Sequence, residues 1–217
     1  MTAPRGQRHI RQLMAVLQEA YPEARCALNF TTPLELLIAT ILSAQCTDVR
    51  VNSVTPKLFQ KYHTAAAYVA AAPEELAHEI QSTGFYRQKA QTIQRCCAAL
   101  LQQHNGAVPD TMAALVKLPG VGRKTANVVL GNAFHRPAGI AVDTHVQRVA
   151  QRLGLTTART PDTIESALLE LVPRKAWTLF SHLLISHGRA ICKARVPQCG
   201  VCPVHHLCPS APREGPG

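Results

Sequence analysis

The chain has 217 residues, of which 47% are hydrophobic, so it is long enough and apolar enough to bury a core. Its 23 lysines and arginines against 13 acidic residues give a formal net charge of +10, which favours a polyanionic partner such as DNA. No apolar run approaches the roughly 18 residues of a membrane span, and the first residues lack a signal-peptide core. We therefore expect a soluble, cytoplasmic protein without a membrane partner.

Helix signals recur along the chain, and no segment has the alternating pattern of a β-strand. Hydrophobic periodicity and capping residues predict helices over residues 5–20, 33–44, 48–62, 73–83, 87–104, 111–117, 123–134, 144–153, from 161 onward, and 175–191. Thr32-Pro33-Leu34-Glu35 forms a capping box, and Asn105-Gly106 is a helix terminator. The predicted fold class is all-α. The tail over 209–217 lacks apolar content, and we expect it to be disordered.

A glycine-rich hairpin, LPGVGRKTANVVL from Leu118 to Leu130, joins two of these helices. Gly120 and Gly122 flank a valine in a turn too tight for side chains, which predicts positive φ at both glycines and NH groups facing outward. Such a turn at a helix start binds phosphate well, and Arg123 and Thr125 are further candidate DNA contacts. We also expect Thr125 to be a helix cap, as we do Asp48 upstream.

The run PGVGRKTA resembles the helix-hairpin-helix motif of DNA glycosylases, and its details resemble the endonuclease III branch. The similarity extends from about Leu28 to Cys208. It implies two helical lobes that flank a DNA-binding cleft: a six-helix lobe over 26–137 that contains the hairpin, and a second lobe formed by 1–25 and 138–217. It also implies that Lys124 is the catalytic nucleophile and that Asp143, in a VDTH run, assists it.

The chemistry of base removal explains why such an enzyme needs an amine. The damaged nucleotide must leave the stack, and the Lys124 amine can then attack C1′, expel the base and leave a Schiff base that permits β-elimination. An active-site carboxylate at Asp143 would stabilise positive charge that develops on the sugar. From spacing alone, Lys124 could instead contact a phosphate, and Asp143 could be a helix N-cap. His145 matches a histidine near the family's site, although a first-turn histidine is commonly structural.

Two residues match family positions that enter the duplex. Gln45, in SAQCTD, matches the glutamine that fills the gap left by the extruded base and touches its former partner. Phe85, in STGFYRQKA, occupies the position where relatives insert an apolar side chain between bases. The alternative for Gln45 is a polar residue between helices, and the alternative for Phe85 is a hydrophobic staple that packs on its own helix.

A cluster of cysteines provides a second strong signal. Spaced as C-x6-C-x2-C-x5-C, four thiolates follow the last long helix: Cys192, Cys199, Cys202 and Cys208. The ligand chemistry suits a structural zinc or an iron-sulfur cluster equally, but the spacing resembles the 4Fe-4S loop of endonuclease III, which implies that cofactor. Lys193 and Arg195 lie between the first two cysteines, where a stiffened basic loop could contact phosphates.

The resemblance implies a monomeric, nucleoid-associated bifunctional DNA glycosylase and AP lyase of bacteria. It would act on oxidised pyrimidines or abasic sites in double-stranded DNA. One alternative is a monofunctional glycosylase of the same superfamily, but its adenine and mismatch-thymine branches lack a lysine at the position of Lys124. Another is a non-catalytic helix-hairpin-helix DNA-binding protein, which would need only backbone amides and cations. Val116 and Lys117 depart from the acidic residue common in close relatives, which bears on lesion preference.

Overall fold

The computed structural model describes residues 6–212, and within this range every regular element is a helix. The α-helices are α1 (Gln7–Ala20), α2 (Pro33–Leu42), α3 (Asp48–Lys61), α4 (Ala65–Ala70), α5 (Pro73–Glu79), α6 (Tyr86–His104), α7 (Met112–Leu115), α8 (Arg123–Ala133), α9 (Thr144–Arg152), α10 (Pro161–Leu171) and α11 (Trp177–Ala190). Short 3₁₀ turns cover Gln81–Thr83, Arg174–Ala176, Cys199–Val201 and His205–Leu207. The predicted all-α class is confirmed.

Helix ends follow the local capping chemistry. The capping box at the start of α2 is confirmed, with Thr32 accepting from the NH of Glu35 and the glutamate side chain accepting in return. Asn105 and Gly106 are both left-handed after α6, and the NH of Gly106 donates to the carbonyl of Leu100 at 2.9 Å, so the predicted helix terminator is confirmed.

Three predictions about α3, α4 and α5 were wrong. The short helix α4 was missed, because its alanines carry little periodicity; the side chain of Thr64 caps it. The predicted helix over 73–83 ends at Glu79 and tightens into the 3₁₀ turn. Thr47, rather than Asp48, caps α3, since Thr47 has the extended backbone and its hydroxyl accepts from the NH of Arg50.

The described chain divides into two compact units. The first, Cys26–Arg136, contains α2 to α8, with α4 and α5 packed on α6 and α2 packed on α8. This packing supports the end of α2, which is followed by Gln45, and the start of α6, which is preceded by Phe85.

The second unit joins the described residues up to Arg25 with those from Pro137 onward. In it, α11 packs against α1 and α9. Fully buried residues from these helices form its core, among them Ile10, Leu13, Leu17, Val146, Val149, Phe180, Leu183 and Leu184.

The tail that we expected to be disordered is described only in part. Residues 209–211 belong to a turn that is closed by the NH of Ala211, which donates to the carbonyl of Cys208 at 3.3 Å. Residues 213–217 lie outside the described residues, as does Arg5 at the start of the first predicted helix. None of the helices within 6–212 is long and apolar enough to cross a membrane.

Candidate catalytic and nucleic-acid-binding site

The two glycines of the hairpin have different backbones. Gly120 has φ of +78°, and a Cβ added there would lie 2.2 Å from Cγ2 of Thr92, so the turn accepts only glycine. Gly122 has φ of −88° and ψ of 176°, so the prediction of positive φ is wrong for Gly122. The reason is that Gly122 is the N-cap of α8, a position that requires extended backbone. A Cβ on Gly122 would meet nothing within 4 Å.

Lys124 is the second residue of α8 and its side chain is exposed. The hairpin therefore places an accessible amine on the first turn of a helix whose N-cap has no side chain. The first NH groups of a helix have no partner within it, which makes this end suitable for an anion. Arg123, beside it, is also exposed. Thr125 is half-buried and is the third residue of α8, so its predicted role as a cap is wrong.

Asp143 is the N-cap of α9, as one interpretation of its sequence position predicted. Its Oδ1 accepts from the NH groups of His145 and Val146, each at 2.8 Å. Among the described residues, Oδ2 has no hydrogen-bond partner. The cap thus fixes the half-buried carboxylate in orientation and leaves one oxygen available. Asp143 belongs to the unit that joins the two ends of the chain, whereas Lys124 belongs to Cys26–Arg136.

His145 is held by its own neighbours. Its Nδ1 lies 3.1 Å from Nη2 of Arg148, and Nη2 also donates to the carbonyl of Gly188 at 2.9 Å. Any Cβ on Gly188 would lie 3.1 Å from both the Arg148 and the His145 side chains. This close packing of α9 on α11 gives His145 a structural role.

Gln45 and Phe85 share an unusual backbone. Both are left-handed, with φ of +52° and +47° respectively, and both side chains are exposed. Bulky residues rarely adopt this conformation, which costs on the order of 1–3 kcal/mol and persists only where the surrounding structure holds it. Phe85 is 64% exposed, and a side chain with that exposure does not pack as a hydrophobic staple.

Lys89 is a residue that sequence reasoning missed. It is only 6% exposed, and its Nζ donates to the carbonyl of Leu42 at 2.7 Å and to that of Thr83 at 2.8 Å. Burial lowers the pKa of Lys89. A signal was present in the sequence, since Lys89 falls on the same face of α6 as the buried Ile93, Cys96 and Leu100.

The clustered cysteines surround one cavity of about 100 Å³. All of the predicted ligands line it: Cys192, Cys199, Cys202 and Cys208. Burial raises the pKa of the Cys202 and Cys208 thiols, and the nearby backbone of Val204, Ser210 and Ala211 opposes this rise in pKa. Four soft sulfur donors around one cavity suit an iron-sulfur cluster. Within 6–212, no three His, Cys, Asp or Glu side chains are close enough together to hold a single metal ion.

A buried histidine lies beside this cavity. The Nδ1 of His187 is 2.9 Å from the hydroxyl of Tyr21, and its Nε2 is 3.6 Å from Sγ of Cys202. Burial lowers the pKa of His187 to about 4. The imidazole is therefore neutral near pH 7 and can donate from only one of its nitrogens.

Two arginines of α9 hold the start of the cysteine loop, residues 192–208. Arg152 donates to the carbonyls of Lys193 and Ala194 at 2.7 and 2.8 Å, and Arg148 donates from Nε to the carbonyl of Cys192 at 3.1 Å. Sequence reasoning missed both, because carbonyl acceptors in a loop leave no pattern. The side chains of Lys193 and Arg195 are exposed, as a phosphate contact requires.

Comparison with known proteins agrees with the geometry. Residues 38–174 match the family described as HhH-GPD superfamily base excision DNA repair protein. The chain is 52% identical to endonuclease III of Synechocystis sp., covering 92% of this chain and 91% of that protein. It is 46% identical to endonuclease III of Escherichia coli K12, covering 91% and 93%. A solved trapped endonuclease III–DNA covalent intermediate, an estranged-adenine complex, superposes with a TM-score of 0.90 at 46% identity, covering 97% of this chain and 98% of that one.

Proposed function

The chain belongs to the endonuclease III family of HhH-GPD base excision DNA repair proteins, and we propose that Lys124 and Asp143 carry its DNA glycosylase and AP lyase reactions. The observation that carries this proposal is the exposed Lys124 amine on the first turn of α8, directly behind the glycine hairpin. A purely phosphate-binding hairpin would be served by the main-chain NH groups and a cation.

Lys124 is the proposed nucleophile. Its neutral amine attacks C1′ of the extruded nucleotide, the bond from C1′ to the base breaks, and the base leaves with a proton. The C1′–O4′ bond of the sugar ring then breaks, and O4′ takes up a proton. The amine nitrogen and C1′ are left joined as a protonated Schiff base, which acidifies the C2′ hydrogen. Loss of that proton drives cleavage of the C3′–O bond, and the strand is nicked with the 3′ phosphate as leaving group. Hydrolysis of the Schiff base returns the free amine.

Asp143 supports this chemistry as a carboxylate. The NH groups of His145 and Val146 hold Oδ1, so the group keeps one orientation. We propose that Oδ2 faces the reacting sugar, where a negative charge stabilises the developing positive charge and can help to move a proton. The N-cap and the catalytic role are therefore two uses of one side chain.

DNA contacts are proposed for the hairpin and for the two strained residues. The NH groups around Gly120 and Gly122, with the side chains of Arg123 and Thr125, form a suitable site for a backbone phosphate. Gln45 and Phe85 would enter the duplex, filling the space of the extruded base and stacking on its neighbours. Their exposure and left-handed backbones support this assignment. Lys193 and Arg195 would contact phosphates from the cysteine loop.

A 4Fe-4S cluster is the proposed cofactor, as the family suggests. Cys192, Cys199, Cys202 and Cys208 would hold it in the cavity that they line. When bound, the cluster would stiffen the cysteine loop, and it would take no part in breaking the glycosidic bond. A brown protein with about four irons per chain, lost in Cys199→Ser, is the expected result. A colourless, iron-free protein after anaerobic preparation would contradict this assignment.

The substrate is proposed to be an oxidised pyrimidine or an abasic site in double-stranded DNA. We propose that the protein is a monomer that associates with the bacterial chromosome in the cytoplasm. We also propose that its two compact units are the lobes implied by the family resemblance. The net charge of +10 supports a DNA partner.

A labelled duplex with one oxidised thymine tests the function. Nicking without alkali should equal the total base release that hot alkali reveals, because the same amine catalyses both steps. Base release that appears only after alkali would indicate a monofunctional glycosylase. Binding without base release, on several oxidised pyrimidines and an abasic site, would indicate a non-catalytic DNA-binding protein.

A further inference from the structure

The buried amine of Lys89 joins two separate segments of the unit Cys26–Arg136. Its hydrogen bonds reach the carbonyl of Leu42, the last residue of α2, and that of Thr83, the last residue of the 3₁₀ turn before α6. A fully buried cation is costly unless it is hydrogen-bonded, and here the same amine satisfies two carbonyls at once.

Both carbonyls are at helix ends, where backbone acceptors lack partners within the helix. Other carbonyls in the last turn of α2 have donors nearby. The carbonyl of Ala39 accepts from the NH of Ser43 at 2.9 Å, and the carbonyl of Thr40 accepts from the hydroxyl of Ser43 at 2.8 Å. Lys89 supplies the donor for Leu42. A positive charge also suits the negative end of a helix dipole.

The two joined segments lead directly to the residues proposed to enter the duplex. Gln45 is three positions after Leu42, and Phe85 is two positions after Thr83. Both have left-handed backbones, which persist only where the surroundings hold them. In addition, the NH of Lys89 donates to the carbonyl of Phe85 at 3.0 Å. One residue thus contacts Phe85 itself, the chain just before Phe85 and, across the unit, the chain just before Gln45.

We propose that Lys89 is a positioning residue for base extrusion, which holds Gln45 and Phe85 at a fixed separation so that they enter the duplex together. This inference rests on the proposed function, since it assigns Lys89 a role only through those two residues. Because Lys89 is buried, the role proposed for it is to position these two residues and not to contact DNA or the reacting atoms.

The test is the single-turnover rate of base release from a duplex with one oxidised thymine, divided by the nicking rate on a single-stranded abasic site. The single strand offers no stacked duplex to enter, so this ratio isolates extrusion. Lys89→Met should lower the ratio by about 10- to 100-fold, as a misplaced group far from the chemistry can. The matched control is Ile93→Val, which removes a buried methyl group from the same face of α6 and should keep the ratio.

A mutant cycle separates positioning from general destabilisation. In a Gln45→Ala/Phe85→Ala background, Lys89→Met should have little further effect on the ratio, because the residues it acts through are gone. If Lys89→Met does not fold, Lys89→Arg replaces it, since the larger planar head cannot match both carbonyls, and the same non-additivity is expected.

Two results would overturn the inference: a wild-type ratio in the folded Lys89 variant, or an equal loss in both backgrounds. An inactive wild-type protein on every lesion would instead refute the proposed function, so the two failures are distinguishable. As a spectroscopic check, 2-aminopurine opposite the lesion should brighten on binding wild type and Ile93→Val, and should brighten less with the Lys89 variant.

Discussion

The guanidinium of Arg152 donates to the carbonyl of Lys193 at 2.7 Å, so the helix that Asp143 caps is bonded at its other end to the cysteine loop. A second donation, to the next carbonyl at 2.8 Å, makes the contact bidentate. The exposed side chains of Lys193 and Arg195 in that loop therefore extend from a main chain that the two hydrogen bonds of Arg152 hold in place.

Arg152→Lys should loosen the loop, because an ammonium cannot reproduce the bidentate contact. We expect the free energy of unfolding to fall by about 1–3 kcal/mol and DNA affinity to weaken. Hydrogen exchange at residues 193–196 should accelerate. The control is Arg159→Lys, whose side chain is exposed. Equal exchange rates in the two variants would show that the bidentate contact does not order the loop.

The hairpin glycines should respond differently to alanine. Gly120→Ala meets Thr92 at 2.2 Å and has unfavourable φ, so it should cost stability by more than about 1 kcal/mol. Gly122→Ala has open space and an ordinary φ, so it should leave the fold intact and weaken DNA binding only through a methyl group beside the NH groups. Urea unfolding and duplex binding of each variant measure this. Equal destabilisation by both would refute the distinction.

Substitutions of Phe85 should change the stability of the fold and the affinity for DNA in different ways. Phe85→Gly relieves the left-handed strain, so it should be more stable than Phe85→Ala by about 1 kcal/mol. Both variants lose base stacking, and duplex affinity should weaken by about 1–3 kcal/mol. Thermal unfolding and fluorescence anisotropy measure the two quantities. An unchanged affinity would exclude Phe85 from the DNA interface.

Because of the buried thiols of Cys96 and Cys97, we expect the protein to lose stability at alkaline pH. Both are fully buried in α6, and burial raises the pKa of each thiol to about 12, from an ordinary value of 9.0. Between these values the unfolded chain has lost protons that the folded chain keeps, so the free energy of unfolding is intact below about pH 9 and falls as the pH rises towards 12.

Urea unfolding at about pH 8 and about pH 10.5 measures this fall. The variant Cys96→Ala/Cys97→Ala should be less stable at the lower pH but should lose less on going to the higher one. Tyr21 contributes in the same direction, since burial raises its pKa to about 12 and it is present in both proteins. Parallel losses in wild type and variant would contradict the assignment to these cysteines.

Local chemistry made much of this fold predictable. The capping box of Thr32 and Glu35 predicted the start of α2, and Asn105-Gly106 predicted the end of α6. The spacing of the cysteines indicated residues that line one cavity. Capping boxes, left-handed terminators and ligand spacings act over a few residues, so a single sequence reveals them.

The long-range contacts could not be predicted from the sequence. Lys89 binds carbonyls 47 and 6 positions away, and Arg152 binds carbonyls more than 40 positions away. Main-chain acceptors carry no residue identity, so no pattern marks them. The left-handed backbones of Gln45 and Phe85 were equally hidden, because only the packing of their neighbours imposes this conformation.

Borohydride trapping tests the central claim, that Lys124 forms a Schiff base with DNA. Wild type, Lys124→Ala and the control Lys117→Ala, which removes an exposed lysine just before the hairpin, would each be incubated with a duplex that contains an abasic site. Borohydride reduces a Schiff base to a stable link. We predict a covalent protein–DNA band for wild type and Lys117→Ala, and DNA binding without a band for Lys124→Ala. A band of wild-type intensity in Lys124→Ala would contradict the account.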